Sequence, residues 1–404
     1  MSSSPQTLRG FRDFLPEAAQ KRQWLKNKII NIFESWGYDP LETPTLESLD
    51  LFKGKIGADE NLFFQFQDPG GREVALRYDQ TVPACRVVGQ YAQQLPMPFK
   101  RYQIQSAFRA EKPQKGRYRE FLQCDADIFG TTSPLADAEC IALSLEVYRQ
   151  LGFKEAKVLI SDRSLLAQMP YEAIVAIDKI KKIGAEGVIA EMSAKGIDTT
   201  TARSYLKYIE ELQPNESITT ILDYLKTLGF EESWYEFNPT IARSFSYSTG
   251  PIWEVEIPGY SAGSVLGGER YDQLIERITG VAIPGTGFAI GFDRTLEAAE
   301  LFGLIPGNKT ATQVLVTVFS QQLQKQSLLL AKRLRDMGIK TELYTGSDEK
   351  MAKQFKYANK KGIPFAVILG ETEVESNKIA IKNLVSGEQS LIAAEDINTI
   401  IQSK

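Results

Sequence analysis

The stretch FRAEKPQKGRYREFLQCDAD, Phe108–Asp127, decides how the chain is read. Around its start, Arg101, Gln103, Gln105, Arg109 and Glu111 share one set of alternate positions, and Tyr102, Ile104 and Phe108 share the other. Toward its end, Gln123, Asp125 and Asp127 alternate with Leu122, Cys124, Ala126 and Ile128. Period two marks a strand, because successive side chains leave opposite faces of a pleated backbone. The pattern predicts an antiparallel hairpin with one apolar face and one face of Arg, Glu, Gln and Asp. Its connection, KPQKGRY, is long and cationic. Just upstream, REVALRYDQT alternates as well, setting Arg77, Asp79 and Thr81 against Val74, Leu76 and Tyr78.

Working outward, residues 17–36 space Leu25, Ile29, Phe33 and Trp36 as a helix closed by Gly37, and 134–150 reads as a second helix. From 163 to 239 the texture turns helical, with Ile174, Ile177, Ile180 and Ile183 at helix-like intervals. Strand-like text returns with ARSFSYSTGPIWEVEIPG, SAGSVLGGERYDQLIERI and GTGFAIGFDR. GLIPGNKTATQ, 303–313, reads as a linker, and strands alternating with helices beyond it predict a small α/β domain.

Composition narrows the chemistry. The 404 residues predict two or three domains, and 43% hydrophobic with 24% charged residues is an ordinary globular balance. Three cysteines without a C-x-x-C pair argue against a disulfide framework or thiolate zinc site, and for a reducing cytoplasm. No apolar run suits a membrane span or a signal peptide. The count of histidine is 0, which excludes Ser-His-Asp and Cys-His catalysis and histidine-ligated metals. From Lys309 onward, 14 Lys and Arg meet 10 Asp and Glu, leaving +4 on the C-terminal part and −8 on the rest of a chain of net −4. Only part of the surface therefore suits a polyanion.

No P-loop is present, and GTGFAIG misses the dinucleotide-binding spacing by one residue. The remaining phosphate-binding candidates are Arg109, Arg117, Arg243 and Arg294, whose guanidinium forks match phosphate oxygens but also make ordinary surface ion pairs. Asp79, Glu111, Asp127, Glu254 and Glu269 lie where polar faces are predicted, suiting an ammonium group, an amino base or Mg²⁺, or simply a solvated sheet face. In KMAKQFKYANKKG, Lys350, Lys353, Lys356, Lys360 and Lys361 gather toward one helix face, which fits a polyanion as well as plain solvent.

In order along the chain, LRGFRDFLP, LRYDQTVPACR, FRAEKPQKGRYREF, LQCDADIFG, GGERYDQL, GFAIGFDR and KQFKYANKKGIPFAVILG resemble the histidyl-tRNA synthetases, class II aminoacyl-tRNA synthetases. The likeness covers nearly the whole chain. It implies an α+β catalytic domain, a six- or seven-stranded antiparallel sheet flanked by helices, over 1–162 and 240–303. It also implies a helical insertion over 163–239 and a C-terminal α/β anticodon-binding domain over 312–404. The implied activity joins histidine to tRNA through an adenylate, with ATP and Mg²⁺, in a cytoplasmic homodimer.

By the same resemblance, Arg109 holds the α-phosphate and the substrate carboxylate, Glu111 faces adenine, Arg294 holds the γ-phosphate, and Arg117 joins the ATP site. Arg243 stabilises the α-phosphate, which makes it catalytic together with Arg109. Asp79, Gln80, Thr81, Gln123 and Asp127 fall in the amino-acid pocket, as do Tyr247, Ser248 and Glu269. Lys112, Gln114 and Lys115 in the hairpin loop, and Lys353, Lys356 and Lys360 near the C terminus, are the expected tRNA contacts. The metal ligands are unassigned.

Two motifs depart from the family. RGLDYYTG becomes RSFSYSTG, so that Ser248 replaces a tyrosine that helps hold the imidazole, and GGGRYD becomes GGERYD, with Glu269 in place of glycine. Either Glu269 or a neighbour compensates, or the pocket has been rebuilt for another ligand. Asp127, able to accept a ring N–H, favours histidine. The alternatives are a synthetase-like regulatory subunit of ATP phosphoribosyltransferase and a ligase for a different amino acid.

Overall fold

The structure is a computed structural model and describes residues 5–54, 62–113, 117–243, 246–307, 309–346 and 350–402. It divides into two compact units: residues through Asp13 with Leu25–Ile305, and Phe14–Trp24 with Pro306–Lys404.

In α1 (Pro16–Ser35), Leu25, Ile29, Ile32 and Phe33 recur at helical spacing and are buried. After β1 (Asp39–Pro40), the strands β2 (Leu46–Ser48), β3 (Gln65–Gln67) and β4 (Glu73–Leu76) form a small antiparallel sheet in the order β2-β4-β3. The alternation expected through Thr81 stops at Leu76. Arg77 turns inward instead, donating to the carbonyl of Thr43 at 2.8 Å and to Gln105 Oε1 at 2.8 Å. Asp79 accepts the Val82 N–H at 3.1 Å, and Thr81 opens α2 (Thr81–Gln90). A short carboxylate that satisfies an orphan helix N–H competes here with the extended backbone.

The predicted hairpin forms from β5 (Phe99–Phe108) and β6 (Glu120–Phe129), with Arg101 opposite Asp127, Gln103 opposite Asp125 and Gln105 opposite Gln123. Next comes α3 (Pro134–Leu151), capped by Ser133 and ended by Gly152 at φ 94°, then β7 (Lys157–Asp162).

The helical interval holds α4 (Tyr171–Ile177), α5 (Ile180–Ala194), α6 (Thr199–Glu211) and α7 (Glu216–Thr227). Ile174, Ile177, Val188, Met192, Leu206 and Ile209 give the first three helices a core of their own. The isoleucine series at 174, 177, 180 and 183 runs across two helices, and Gly184, at φ 69°, interrupts the second. Asn215 Nδ2 donates to Asp162 at 3.1 Å, so the chain leaves the sheet and returns to it at one point. Beyond that point α7 packs on α3, and β8 (Tyr235–Phe237) pairs in parallel with β7. Then follow β9 (Pro251–Glu256), β10 (Leu266–Arg270), α8 (Leu274–Thr279), β11 (Gly285–Gly291) and α9 (Phe292–Leu301).

The main sheet has eight strands in the order β1-β5-β6-β11-β10-β9-β7-β8; its six central strands are antiparallel, and each edge strand pairs in parallel. One row across it, Tyr102–Ala126–Phe288–Gly268–Trp253, is the apolar face. The ring of Phe33 on α1 meets Phe288 edge-on at 5.9 Å, and Trp253 Nε1 donates to Ser144 on α3 at 3.3 Å. The neighbouring row, Arg101–Asp127–Gly287–Glu269, faces the other way.

The second unit has a five-stranded sheet in the order β13-β12-β14-β15-β16. Strands β12 (Val314–Val316), β13 (Thr341–Leu343) and β14 (Phe365–Ile368) are parallel, and β15 (Ile379–Asn383) with β16 (Gln389–Ile392) makes an antiparallel hairpin. The helices are α10 (Gln324–Asp336), α11 (Met351–Lys361), α12 (Glu371–Glu375) and α13 (Ile397–Gln402). Gln354 fastens α11 by exchanging two hydrogen bonds with the backbone of Val318, at 2.9 and 2.8 Å. Among the described residues no helix is long and apolar enough to cross a membrane.

Candidate active site

The polar face of the sheet is not a solvated one. Arg101, Gln103, Asp125 and Asp127 are all buried, and buried charges persist only where partners offset their lost hydration. Arg101 Nη2 meets Asp127 Oδ2 at 2.5 Å, and the Tyr271 hydroxyl donates to the other Asp127 oxygen. Burial pushes the Asp125 carboxyl well above its usual range, and neither of its oxygens has a hydrogen-bond partner among the described residues.

A cleft of about 700 Å³ opens over this face. From the hairpin and its loop come Arg109, Glu111, Arg117, Gln123 and Asp127; from the start of α2 come Asp79 and Thr81. Arg243, Tyr247 and Glu269 line it from the glycine-rich side, and Arg294 from α9. Residues up to 215 positions apart in sequence, from Asp79 to Arg294, thus meet at one site.

Each arginine is held. The Arg109 guanidinium lies over the ring of Tyr78 at 4.2 Å and donates to the Tyr78 carbonyl at 3.4 Å. Arg117 pairs with Glu111 at 3.3 Å across the mouth of the loop. Arg294 stands in the first turn of α9 and donates to the Ser264 carbonyl at 2.8 Å; that helix N-terminus already favours anions. Arg243, at φ 44°, meets Glu269 at 3.3 Å and Glu254 at 3.8 Å. A Cβ on Gly267 would stand 1.9 Å from its Nη1, so the bare glycine leaves the space that this guanidinium occupies.

Two predicted pocket residues sit elsewhere. Gln80 is fully buried and donates to the carbonyls of Gln105 and Gln123 at 2.7 and 3.2 Å, tying the hairpin to α2 from behind the cleft. Ser248 donates to Glu269. The Gln123 Oε1 is buried with no partner among the described residues, an acceptor facing the cleft. Lys112 lies in the hairpin loop, whereas Gln114 and Lys115 fall outside the described residues. Lys353, Lys356 and Lys360 are exposed on α11 of the second unit.

Sequence reasoning missed three contributions. Arg101, read only as part of a polar face, is the buried partner of Asp127. Gly287 and Gly267 are bare so that Asp127 and Arg243 can lie over them. Asp178 and Lys179 between α4 and α5, with Lys182 in the first turn of α5, bring the insertion to the cleft wall. The glycines of GTGFAIG and LGGER were the legible signal for Gly287 and Gly267.

Residues 10–207 and 173–295 match the family model described as histidyl-tRNA synthetase, and residues 313–404 match an anticodon binding domain. The histidine–tRNA ligase of Aeropyrum pernix is 37% identical over 95% of both chains, and that of Wolinella succinogenes 35% identical over 98% of both. Among solved structures, the histidyl-tRNA synthetase from Nostoc sp. PCC 7120 superposes with a TM-score of 0.85 at 27% identity, over 99% of each chain. A regulatory subunit/histidyl-tRNA synthetase structure from Bacillus halodurans, at 22% identity and a TM-score of 0.71, shares the fold. With matched models over both units and relatives of the same length, the chain belongs to the histidyl-tRNA synthetase family.

Proposed function

We propose that this chain activates histidine with ATP and transfers it to tRNA, and that the cleft over the polar sheet face is where activation occurs. The observation that carries the reading is the convergence of Arg109, Arg243 and Arg294 on one cleft with Asp79, Gln123 and Asp127. Three fixed guanidinium groups suit a triphosphate, and the acids with Gln123 suit an amino acid's ammonium group and ring.

An oxygen of the histidine carboxylate attacks the α-phosphorus, forming a P–O bond while the bond to the β-phosphate oxygen breaks and pyrophosphate leaves. The carboxylate is already a nucleophile, so no protein base is needed. Arg109 orients carboxylate and α-phosphate; Arg243 meets the charge that grows on phosphorus; Arg294 steadies the γ-phosphate. Glu111, fixed by Arg117, faces the adenine. A terminal hydroxyl of tRNA then attacks the adenylate carbonyl and releases AMP. Among the described residues no group of three or more acidic or cysteine side chains gathers to hold a metal; Mg²⁺ would accompany ATP on its phosphates, and Glu269 and Glu254, both paired with Arg243, are the acids beside the proposed α-phosphate site.

Residues 312–404 serve as the anticodon-binding domain, with Lys353, Lys356 and Lys360 facing the tRNA, while Lys112, Gln114 and Lys115 meet its acceptor end. The working form is a cytoplasmic homodimer. The C-terminal domain and the retained phosphate arginines weigh against a purely regulatory subunit. ATP–pyrophosphate exchange measured with each of the twenty amino acids tests the reading: exchange on histidine alone is expected, and exchange on another amino acid instead would refute it.

Asp79 makes this activity pH-dependent. Burial raises its pKa to about 6, against the opposing pull of the Val82 N–H and of Arg109 and Arg101. At pH 7 it is mostly ionised and can hold the substrate ammonium. Below pH 6 the KM for the amino acid should climb about tenfold per unit as the carboxylate protonates, whereas Asp79→Asn should bind weakly with no such rise. Because the folded value is the higher one, the Asp79 contribution to stability is present in full below its unfolded pKa and is lost as pH rises through about 6.

A further inference from the structure

Gly287 pairs with Asp127 on one side and with Glu269 on the other. The two acids therefore project from the same face with a bare residue between them. Their backbones stand two strand spacings apart, roughly 9–10 Å. A Cβ at Gly287 would lie 2.0 Å from Asp127 Oδ1, so the Asp127 side chain leans over the glycine toward Glu269. Both acids line the cleft.

Each is steered by its own donors. Asp127 is held by Arg101 and Tyr271. Glu269 accepts from Ser248 and from Arg243, at 3.3 Å for the latter. A carboxylate oxygen accepts two hydrogen bonds, so each acid keeps acceptor capacity toward the gap. Glu269 already carries a cation in the form of the Arg243 guanidinium, which the proposed reaction draws toward phosphate.

We infer that Glu269 and Asp127 are paired acceptors for the two ring N–H groups of the substrate, so that the pocket takes histidine with its ring protonated. The inference rests on the reading of this cleft as a histidine-activating site. Only the imidazolium has a donor on both nitrogens; a neutral ring takes one proton from solvent as it binds. Ser248 is then a positioning residue: too short to touch the ring, it fixes the Glu269 carboxylate that does. The exchange of a tyrosine and a glycine for Ser248 and Glu269 becomes one coupled change, in which a neutral hydroxyl is replaced by a charge.

Other groups bear on this charge. Glu269 is faced by Arg243, Glu254 on β9, Asp79 before α2, Arg163 after β7 and the Tyr247 hydroxyl. Asp127 is faced by Arg101, Asp125 and Tyr271, with Tyr38, Cys85 and Cys140 behind it, all three pushed upward by burial and so neutral. Asp79 is mostly ionised by pH 7, and burial shifts Asp125 and Asp127 upward as well; ionisation of any of these acids would tighten the hold on a protonated ring, so a KM that rises from pH 7 to 8.5 reports the substrate ring.

The test is the KM for histidine in ATP–pyrophosphate exchange across that interval, at saturating ATP. The unaltered enzyme should show KM rising by up to about tenfold per pH unit as the free ring loses its proton. Glu269→Gln, nearly isosteric, should raise KM at pH 7 by about tenfold, with a smaller change in kcat, and flatten the slope. Ser248→Ala should shift KM a few-fold in the same direction, and it reads the same carboxylate should the first variant not fold. A flat profile in the unaltered enzyme, or an unchanged slope in Glu269→Gln, overturns the inference while leaving histidine activation standing. Exchange on another amino acid and none on histidine overturns the functional reading itself.

Discussion

Arg243→Ala should lower ATP–pyrophosphate exchange by about 10³-fold while the protein keeps its fold. Removing one preorganised donor from a water-excluded oxyanion site typically costs two to three orders of magnitude, and Arg243 also brings a full charge. It is built to be held in place. An arginine at φ 44° costs about 1 kcal/mol or more in backbone strain, and Gly267 on the sheet leaves the space that the guanidinium fills. Two acids, Glu269 and Glu254, hold it. The fold should survive because Ser248 still donates to Glu269 and Glu254 faces the open cleft. Arg243→Lys keeps the charge and loses the fork, so it should recover only part of the rate. Circular dichroism separates lost chemistry from lost structure. Near-normal exchange in the alanine variant would remove Arg243 from the reaction.

Arg101→Ala should instead cost stability, about 3–5 kcal/mol in urea unfolding. Arg101 is fully buried and its Asp127 partner nearly so, and the pair meets at 2.5 Å. Deleting the arginine strands the Asp127 carboxylate beside Asp125, which already lacks a hydrogen-bond partner among the described residues. Replacing both members with apolar residues, as in R101L/D127L, should restore much of that stability, because the hydration cost disappears with the charges. The double variant should still fail to bind histidine. A double variant as unstable as Arg101→Ala would show that the cost is one of packing and not of an unpaired charge.

How much of this was legible follows from what each pattern encodes. The hairpin was readable because period two in β5 and β6 is a local property of the chain; alternation put Arg101 and Asp127 on polar faces, and the register of the folded strands set them opposite each other. The same reasoning overran at Arg77, Asp79 and Thr81. There a side-chain carboxylate satisfies a helix N–H and competes with the pleat, and local alternation is silent on that competition. The isoleucine series in the insertion marks helix correctly but hides a break, since its spacing runs on from Ile177 to Ile180 across the junction between α4 and α5.

By itself the sequence determined the secondary-structure periodicities, the absence of histidine chemistry, the arginines offered to phosphate and the ordered motifs that mark the family. Only the tertiary structure decided that the polar face is buried, that Gln80 braces the hairpin from behind, and that Ser248 serves Glu269. The physical reason is that burial and charge pairing depend on strands far apart in the chain. Asp127 and Glu269 are 142 positions apart in sequence and face each other across Gly287 only once β6, β11 and β10 lie side by side.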